Sequence, residues 1–274
     1  MTGFTYDELK VFFFDLDGCI YHGDVLQPGA GELLNRLRAD GKQICFITNN
    51  STQTAAGIGK KLNAMGLHAK AEEILPATDY VGPYVKQEYG IVKIKVYGSE
   101  ELRTSIMQCG HRMLSIDDPE PADVVILGRD IEFTYRKLQS ISLAFSSGAK
   151  IIAANPDYHH PGSAGERVPE TGALAVSVEA LTSEKVEYIG KPAKHFFEYG
   201  MSRYRCQSHE CVMIGDNLDT DIAGGVSAGM HTVWLNAEDG QEFPGKSIKP
   251  DIRVADLQQF NQFIFADKSA ASSG

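Results

Sequence analysis

Two carboxylates stand directly after an apolar stretch near the start of the chain. Asp15 and Asp17 follow the run Val11–Phe14, whose continuous apolar character predicts a strand buried on both faces. Side chains two residues apart on an extended segment point to the same side, so both carboxylates are expected to face one cleft at the carboxyl end of the strand. Two negative charges this close repel each other, and a cation is needed to offset that repulsion. Taken alone, the pair is equally well explained as solvated caps of a strand end.

A second set of polar side chains follows the next predicted strand. The apolar segment from Gln43 ends in Thr48 and Asn49, before a helix predicted from Thr52. The free amide groups at the start of a helix favour an anion, so this junction is a candidate anion site. An ordinary helix cap is the alternative, because small polar side chains also serve that purpose.

Three further candidates lie in the second half of the chain. Lys191 stands in a turn before a helix, and Asp216 and Asp221 follow a strand predicted over residues 211–214. A lysine in a turn is unremarkable by itself, and acids at a helix start account for one or two of the carboxylates. The carboxyl ends of parallel strands meet at one edge of a sheet, however, so all of these side chains are expected to face the same cleft.

The combination of side chains points to phosphoryl chemistry. Clustered carboxylates with one lysine, and with neither thiolates nor paired histidines, favour Mg²⁺ over zinc. Carboxylates around a divalent cation still leave negative charge, so a phosphate bound there needs both the metal and Lys191 for neutralisation. The arrangement therefore predicts Asp15 as a nucleophile that attacks phosphorus.

Composition narrows the choice of partner and location. The 274 residues carry 36 acidic and 26 basic side chains, a net charge of −10, which argues against a nucleic acid or an anionic membrane as partner. No apolar run has membrane-spanning length, and the first ten residues are too polar for a signal peptide. Five cysteines, an odd number, predict reduced thiols in a cytoplasmic protein. Cys206, His209 and Cys211 lack a fourth zinc ligand at a suitable spacing, which favours a loop followed by a strand.

Strands and helices alternate in both halves of the chain, which predicts an α/β protein. Residues 155–172 are rich in proline, glycine and histidine and are predicted to form a long loop of the kind that often carries function. Within it, His159, His160 and Arg167 are candidates for substrate contact, and a solvated loop with incidental histidines is the alternative. Residues 268–274 are small and polar, and a disordered tail is expected there.

Four sequence motifs, taken in order, resemble those of the haloacid dehalogenase (HAD) superfamily. They are Phe-Asp-Leu-Asp-Gly at 14–18, Ile-Thr-Asn-Asn-Ser at 47–51, Gly-Lys-Pro at 190–192 and Gly-Asp-Asn-Leu-Asp-Thr-Asp at 215–221. The match is similar to the phosphatase branch with a C2-type cap inserted between the second and third motifs, the group of the NagD-like and p-nitrophenylphosphatase-like enzymes.

The resemblance implies a role for each matched acid. Asp15 would attack the phosphoryl group to form an aspartyl-phosphate, and Asp17 would protonate the leaving alcohol and later activate water. Mg²⁺ would be held by the carboxylates of Asp15 and Asp216 and by the main-chain carbonyl of Asp17, with Asp221 supporting the site.

The same resemblance implies the phosphate-binding groups. Thr48 and the amide of Asn49 would bind phosphate oxygens, and Lys191 would offset the charge of phosphate and acids. Two residues depart from the pattern: Glu170 stands where relatives often have glycine, and Tyr21 stands where they often have tryptophan. Both departures bear on the identity of the substrate rather than on the chemistry.

The fold implied is a Rossmann-like doubly wound parallel sheet formed by residues 1–79 and 187–267, with an inserted α/β C2-type cap at 80–186. The cap would close over the cleft, exclude bulk water and select the leaving group. His159, His160 or Arg167 would contact the leaving group and recognise it. Because relatives often dimerise through the cap, a homodimer is also expected.

These inferences predict a Mg²⁺-dependent phosphatase of small phosphorylated metabolites, such as sugar phosphates, phosphoglycolate or nucleotides. A phosphomutase of the same superfamily is the nearest alternative, since it would use the same aspartyl-phosphate. A receiver-like signalling module needs less than half this length and clusters its acids before the threonine and lysine. A catalytically silent binding protein would be expected to have lost Asp15 or Asp17, and both are present.

Overall fold

A computed structural model describes residues 4–162, 165–236 and 248–271, with the backbone alone for 267–271. The chain forms two compact units. The first comprises the described parts of Met1–Thr48, Gly59–Leu75 and Lys191–Gly274, and the second those of Asn49–Ile58 and Pro76–Gly190. Among the described residues, no helix is both long and apolar enough to cross a membrane.

Strands and helices alternate along the chain as predicted. The strands are β1 Val11–Phe14, β2 Tyr21–His22, β3 Val25–Leu26, β4 Gln43–Thr48, β5 Ile74–Pro76, β6 Lys93–Tyr97, β7 Arg112–Met113, β8 Val124–Leu127, β9 Lys150–Ala153, β10 His159–Pro161, β11 Arg167–Pro169, β12 Glu187–Tyr188, β13 Cys211–Gly215, β14 His231–Leu235 and β15 Ile252–Val254. The α-helices are α1 Ala30–Ala39, α2 Ala55–Ala64, α3 Ala77–Tyr89, α4 Glu100–Gln108, α5 Tyr135–Ser146, α6 Thr171–Thr182, α7 Lys194–Tyr204, α8 Ala223–Ser227 and α9 Leu257–Ala271. A single π-helical turn, Leu218–Ile222, precedes α8.

The first unit is built on a six-stranded sheet in the order β15-β14-β13-β1-β4-β5. Its central strands are parallel, with Phe14 aligned with Phe46 of β4 and with Ile214 of β13. From β1 the chain first adds β4 and β5 on one side and later adds β13, β14 and β15 on the other. The strand order therefore reverses at β1, and ligands of doubly wound sheets bind at such a reversal.

Burial explains why β1 lies in the middle of this sheet. All four of its residues are completely buried, and each large apolar side chain that is fully removed from water contributes about 1.5–3 kcal/mol. Only a central strand covered on both faces meets that requirement. Helix α1 packs against α9, and α7 packs against α8.

The second unit has its own five-stranded parallel sheet, in the order β12-β9-β8-β6-β7. Helix α3 packs against α4 and α5 against α6. Ser99 and Thr134 cap α4 and α5, each accepting a hydrogen bond from a main-chain N–H three residues later. The apolar core between the sheet and the α5–α6 pair includes Tyr97, Val125 and Ile141. The predicted α/β class with parallel sheets is confirmed for both units.

The segment Asn49–Ile58 belongs to the second unit and interrupts the predicted first part of the core, residues 1–79. The main-chain N–H and the hydroxyl of Thr78 both donate to the Asn50 carbonyl, at 3.1 and 3.0 Å. The Ser51 hydroxyl accepts from the main-chain N–H of Arg129 at 3.0 Å. These long-range hydrogen bonds hold the segment, and the units change over at residues 76 and 190 rather than at 80 and 186.

Two predictions of irregular structure are wrong in part. Residues 155–172 were expected to lack regular structure, but β10 and β11 form an antiparallel hairpin within them, with His160 opposite Val168. The disordered tail was expected from residue 268, but α9 extends to Ala271. Residues 272–274 of that tail lie outside the described residues.

Two helical glycines provide a matched test of packing in the first unit. A Cβ atom at Gly224, in α8, would lie 2.1 Å from the ring of Phe197, whereas a Cβ atom at Gly31, in α1, would meet nothing within 4 Å. Because Phe197 is fully buried, we expect Gly224→Ala to lower the free energy of unfolding by about 1–3 kcal/mol. We expect Gly31→Ala to raise it by about 0.4–1 kcal/mol. Urea unfolding followed by circular dichroism measures both, and equal effects would contradict this packing.

Candidate active site

Asp15 lies one residue beyond β1, where the order of strands reverses. Its main-chain N–H donates to the Ile214 carbonyl at 3.0 Å, which continues the pairing of β1 with β13 and holds Asp15 at the carboxyl edge of the sheet. Thr48 ends β4 on the other side of β1. Both side chains are buried. The predicted positions of these two residues at strand ends are therefore confirmed.

The ammonium group of Lys191 binds two carboxylates at once. It donates to Asp15 Oδ1 and, at 2.7 Å, to Asp221 Oδ1. The side chains of Lys191 and Asp221 are only 3% and 1% exposed. Burial by itself would lower the pKa of Lys191, but the charges of Asp15 and Asp221 outweigh burial and raise the pKa above its usual value. The lysine is therefore a fixed positive charge at neutral pH.

Asp216 completes a group of three carboxylates. Within the described part of the chain, Asp15, Asp216 and Asp221 form the cluster of potential metal ligands, with oxygen atoms within 4.8 Å of one another. Burial raises the pKa of Asp15 well above its usual range; Lys191 opposes the shift, and the charges of Asp221 and Asp216 add to it. Asp216 is exposed at the surface, yet the loss of hydration around its carboxyl group, followed by the charge of Asp221, raises its pKa to about 6. One ammonium does not balance three carboxylates.

This donor set fits a divalent cation. All three side chains offer hard oxygen atoms, which Mg²⁺ prefers, whereas zinc sites are built mainly from nitrogen and sulfur ligands. Burial is the main cause of the raised pKa values of Asp15 and Asp216, and the mutual repulsion that adds to both shifts is what a bound dication would relieve. Asp15, Asp216 and Asp221 are therefore the residues suited to hold a metal.

A tight turn after β13 returns Asp221 to the site. The Asn217 side chain accepts hydrogen bonds from the main-chain N–H groups of Asp219 and Thr220, at 2.9 and 3.2 Å, and the N–H of Asn217 donates to Asp221 Oδ2 at 3.1 Å. A Cβ atom at Gly215 would lie 2.2 Å from the same Asp221 oxygen. Glycine at this position therefore allows the carboxylate to approach the end of the strand.

The turn after Asp15 determines where the Asp17 side chain lies. The main-chain N–H groups of Ile20 and Tyr21 both donate to the Leu16 carbonyl, at 2.9 and 3.1 Å, and the Tyr21 hydroxyl donates to Asp17 Oδ2 at 3.0 Å. The Asp17 side chain is exposed and is not a member of the three-carboxylate cluster. A metal contact by Asp17 thus stays a prediction about its main-chain carbonyl.

Asn49, a predicted phosphate ligand, lies in a polar network of the second unit. Its side-chain amide donates to Asp157 Oδ2 at 3.1 Å, and its main-chain carbonyl accepts from the buried Asn155 amide at 2.7 Å. Asn155 also donates to the Thr171 hydroxyl at 3.3 Å. The network joins the segment after β4 to the first residue of α6.

The helix predicted to begin at Thr52 begins three residues later, so the amide groups of Thr52 and Gln53 do not belong to a helix start. Helix α2 begins at Ala55, because the Asn50 side chain accepts from the N–H groups of Thr52 and Gln53, at 2.9 and 2.8 Å, and closes a separate turn. At the true helix start the Ala55 N–H donates to Asp79 at 2.7 Å. Carboxylate and amide oxygens of the chain itself therefore occupy these amide groups.

His159, His160 and Arg167 lie on the β10–β11 hairpin of the second unit, with His159 and Arg167 exposed. His160 Nδ1 lies 2.7 Å from a Glu170 carboxylate oxygen, and the Arg129 guanidinium lies 3.7 Å from the same oxygen. Burial raises the pKa of Glu170, and Arg129 and His160 oppose the shift. Sequence reasoning noted Glu170 but missed Arg129, whose position just beyond the buried strand β8 was the available signal.

Sequence comparison places this geometry in a known family. The family model described as haloacid dehalogenase-like hydrolase matches residues 12–112, and a second, described as HAD-hydrolase-like, matches residues 188–260. An acid sugar phosphatase of Staphylococcus epidermidis is 30% identical over 250 residues, which cover 90% of this chain and 95% of that protein.

Solved structures give the same result. The 4-nitrophenylphosphatase of Thermotoga maritima superposes with a TM-score of 0.86 at 26% identity, covering 94% of this chain and 98% of that one. A structure described as a putative NagD protein has a TM-score of 0.85 at 27% identity and covers 94% and 99% of the two chains.

The fold, the carboxylate site and these matches establish that the chain belongs to the haloacid dehalogenase-like hydrolases. Within that family it is a NagD-like phosphatase, an enzyme that acts on phosphomonoesters. The resemblance inferred from the four motifs is confirmed.

Two glycines with positive φ angles test the contact between the first and last motifs. A Cβ atom at Gly18, with φ +92°, would lie 2.4 Å from Asp216 Oδ2, whereas one at Gly23, with φ +60°, would meet nothing within 4 Å. We expect Gly18→Ala to lower kcat/KM for p-nitrophenyl phosphate by about 100-fold or more, because it displaces Asp216. Gly23→Ala introduces backbone strain without the collision and should stay within about threefold of the parent. Equal losses in both variants would contradict the contact.

Proposed function

We propose that the chain is a Mg²⁺-dependent phosphatase that hydrolyses small phosphorylated metabolites through a phosphoryl group carried on Asp15. The observation that carries the proposal is the buried ammonium of Lys191, shared by Asp15 and Asp221. A carboxylate that is buried, oriented and kept beside a permanent cation is suited to attack an electrophile that brings its own negative charge.

In the first half of the reaction, an Asp15 carboxylate oxygen attacks phosphorus and the bond from phosphorus to the leaving alcohol breaks. The Asp17 carboxyl group gives its proton to the departing oxygen. In the second half, water attacks the phosphorus of the aspartyl-phosphate and yields its proton to Asp17, which releases phosphate and restores Asp15. The exposed position of Asp17 and its single described partner, the Tyr21 hydroxyl, support this exchange of protons with substrate and water.

Charge neutralisation falls to Lys191 and the metal. Mg²⁺, held by Asp15, Asp216 and the main-chain carbonyl of Asp17 with Asp221 in support, would supply positive charge next to the phosphoryl oxygens. Lys191 holds Asp15 in place and balances part of the negative charge. Thr48 and the main-chain amide of Asn49 bind phosphate oxygens in this proposal.

For the substrate class, we favour sugar phosphates among small phosphomonoesters, with phosphoglycolate and nucleotides as the other candidates. The name of the Staphylococcus epidermidis relative, acid sugar phosphatase, supports this order. Because the matched relatives are named as phosphatases, transfer to water is favoured over the return of phosphate to product by a phosphomutase.

The second unit acts as the C2-type cap in this proposal, and its hairpin residues His159, His160 and Arg167 read the leaving group. The Glu170 carboxylate limits how His160 can take part, since the imidazole lies beside it. A homodimer formed through the cap and a cytoplasmic location stay predictions.

The nucleophile has a matched control in the same site region. We expect Asp15→Asn to lower kcat for p-nitrophenyl phosphate by about 10⁴-fold or more, because an amide oxygen does not form the phosphoryl intermediate. Asp219 is an exposed acid in the turn after β13, and Asp219→Asn should stay within about threefold of the parent. Acid-quenched labelling with ³²P substrate should mark the parent and not Asp15→Asn. Undiminished hydrolysis by Asp15→Asn would end the proposal.

Metal dependence should appear in stability as well as in activity. Without a metal, in EDTA, the folded protein favours the neutral form of the Asp216 carboxyl group, whose pKa is raised to about 6. The stability that this preference gives the folded state is fully present below the ordinary pKa of about 4 and is lost as the pH rises to about 6. At pH 7, Mg²⁺ should therefore raise the unfolding temperature of the parent by several degrees. It should shift Asp216→Asn much less.

An activity screen of the parent enzyme identifies the substrate. A panel of phosphorylated metabolites assayed with Mg²⁺ and with EDTA should show turnover only with the metal, and sugar phosphates should have the highest kcat/KM. Full turnover in EDTA, or an equal thermal shift in parent and Asp216→Asn, would contradict the metal site.

The cap residues are tested by selectivity rather than by rate alone. We expect His159→Ala, His160→Ala and Arg167→Ala to change the ratio of kcat/KM between a good sugar phosphate and p-nitrophenyl phosphate, by about tenfold for a residue that contacts the leaving group. Tyr158→Ala, at an exposed position in the same loop, is the control. Unchanged kcat/KM for every accepted substrate in all three variants would exclude this role.

A further inference from the structure

Two cysteines of the first unit lie side by side away from the active site. Cys206 follows α7 and Cys211 begins β13, and their sulfur atoms are 2.9 Å apart. Both are free thiols. Asp216 and the metal-binding carboxylates lie beyond the opposite end of β13, so the phosphatase chemistry makes no use of this pair.

We propose that Cys206 and Cys211 form a reversible intramolecular disulfide, which makes this turn a redox modification site of the enzyme. A disulfide bond is about 2.0 Å long, so the sulfur atoms need to approach by only about 0.9 Å. The ring that closes spans residues 206–211, a short turn whose ends are already held by α7 and by the pairing of Cys211 with Val11 of β1.

The two thiols differ in the way that a reactive and a resolving cysteine differ. Cys206 is half-buried and Cys211 is completely buried. The hydrogen bond between the two sulfur atoms lowers the pKa of Cys206, and the same bond, followed by burial, raises the pKa of Cys211. Lys10 and Glu210 form an ion pair with each other; the charge of Glu210 raises the pKa of Cys206 and that of Lys10 lowers it. Cys206 is therefore the thiol that meets an oxidant first.

A peroxide is the oxidant that this arrangement suits. The Cys206 thiolate attacks one peroxide oxygen, the O–O bond breaks, and hydroxide leaves while the sulfur becomes a sulfenic acid. The Cys211 sulfur then attacks the Cys206 sulfur, expels the sulfenic oxygen as water and forms the S–S bond. Two thiols are oxidised and one peroxide is reduced to two water molecules. A thiol reductant reverses the change.

The geometry favours a disulfide over a zinc site at the same cysteines. Two thiolates on one tetrahedral zinc ion, each about 2.3 Å from the metal, lie about 3.8 Å apart, well beyond the distance found here. His209 is exposed in the turn between them, and it does not join a group of three potential ligands in the described part of the chain.

The test is peptide mapping of the full-length enzyme after exposure to hydrogen peroxide. Denaturing alkylation should find five free thiols before oxidation and three after it, with five restored by dithiothreitol. Proteolytic cleavage after Glu210 separates the two cysteines, so their peptides should stay joined only in the oxidised sample. Activity on p-nitrophenyl phosphate should stay within about twofold.

Variants distinguish the roles of the two thiols. In Cys211→Ser, peroxide should drive Cys206 onward to sulfinic and sulfonic acids, because no partner traps the sulfenic acid. In Cys206→Ser, Cys211 should stay reduced. Cys109→Ser removes another half-buried thiol and should leave the disulfide unchanged. The proposal is overturned if Cys206 and Cys109 of the parent oxidise equally fast without linkage. It is also overturned if purified enzyme carries stoichiometric zinc that Cys206→Ser loses.

Discussion

The buried contact of one ammonium with two carboxylates is the constraint on which the rest of the site depends. Removing Lys191, Asp15 and Asp221 from water costs several kcal/mol for each ion, and only close mutual contacts offset that cost. Their short hydrogen bonds do so in part. Asp216 adds a third negative charge within reach, and the remaining excess of negative charge is what a bound divalent cation would offset.

The parallel sheet makes this concentration of charge possible. Asp15 and Asp216 each follow directly after one of two adjacent central strands, β1 and β13, at the point where the strand order reverses. Gly18 and Gly215 then remove the side-chain atoms that would collide with Asp216 and Asp221. The fold thus supplies rigid positions at the strand ends, and the glycines allow the carboxylates to converge there.

Much of the fold and the core of the site follow from local sequence. The strands β1 and β4 agree with their predicted bounds at both ends, because a short apolar run between polar turns favours a buried strand. The prediction was wrong at Thr52 and in residues 155–172. At Thr52, a local turn closed by the Asn50 side chain replaces the first turn of the predicted helix. In residues 155–172, a hairpin forms although the sequence lacks the alternating apolar and polar pattern that predicts strands.

By itself, the sequence determined which polar residues follow the buried strands, and hence the family. The buried strands β1, β4 and β13 carry no charged side chain along their length, so the polar residues that follow each of them mark the edge of the sheet. Only the tertiary structure decided that Lys191 bridges Asp15 and Asp221, residues 176 and 30 positions away from it. The tertiary structure also places Arg129 next to Glu170 and the sulfur of Cys206 next to that of Cys211. Such pairings depend on strand order and on the path of turns, which the spacing of residues along the chain does not specify.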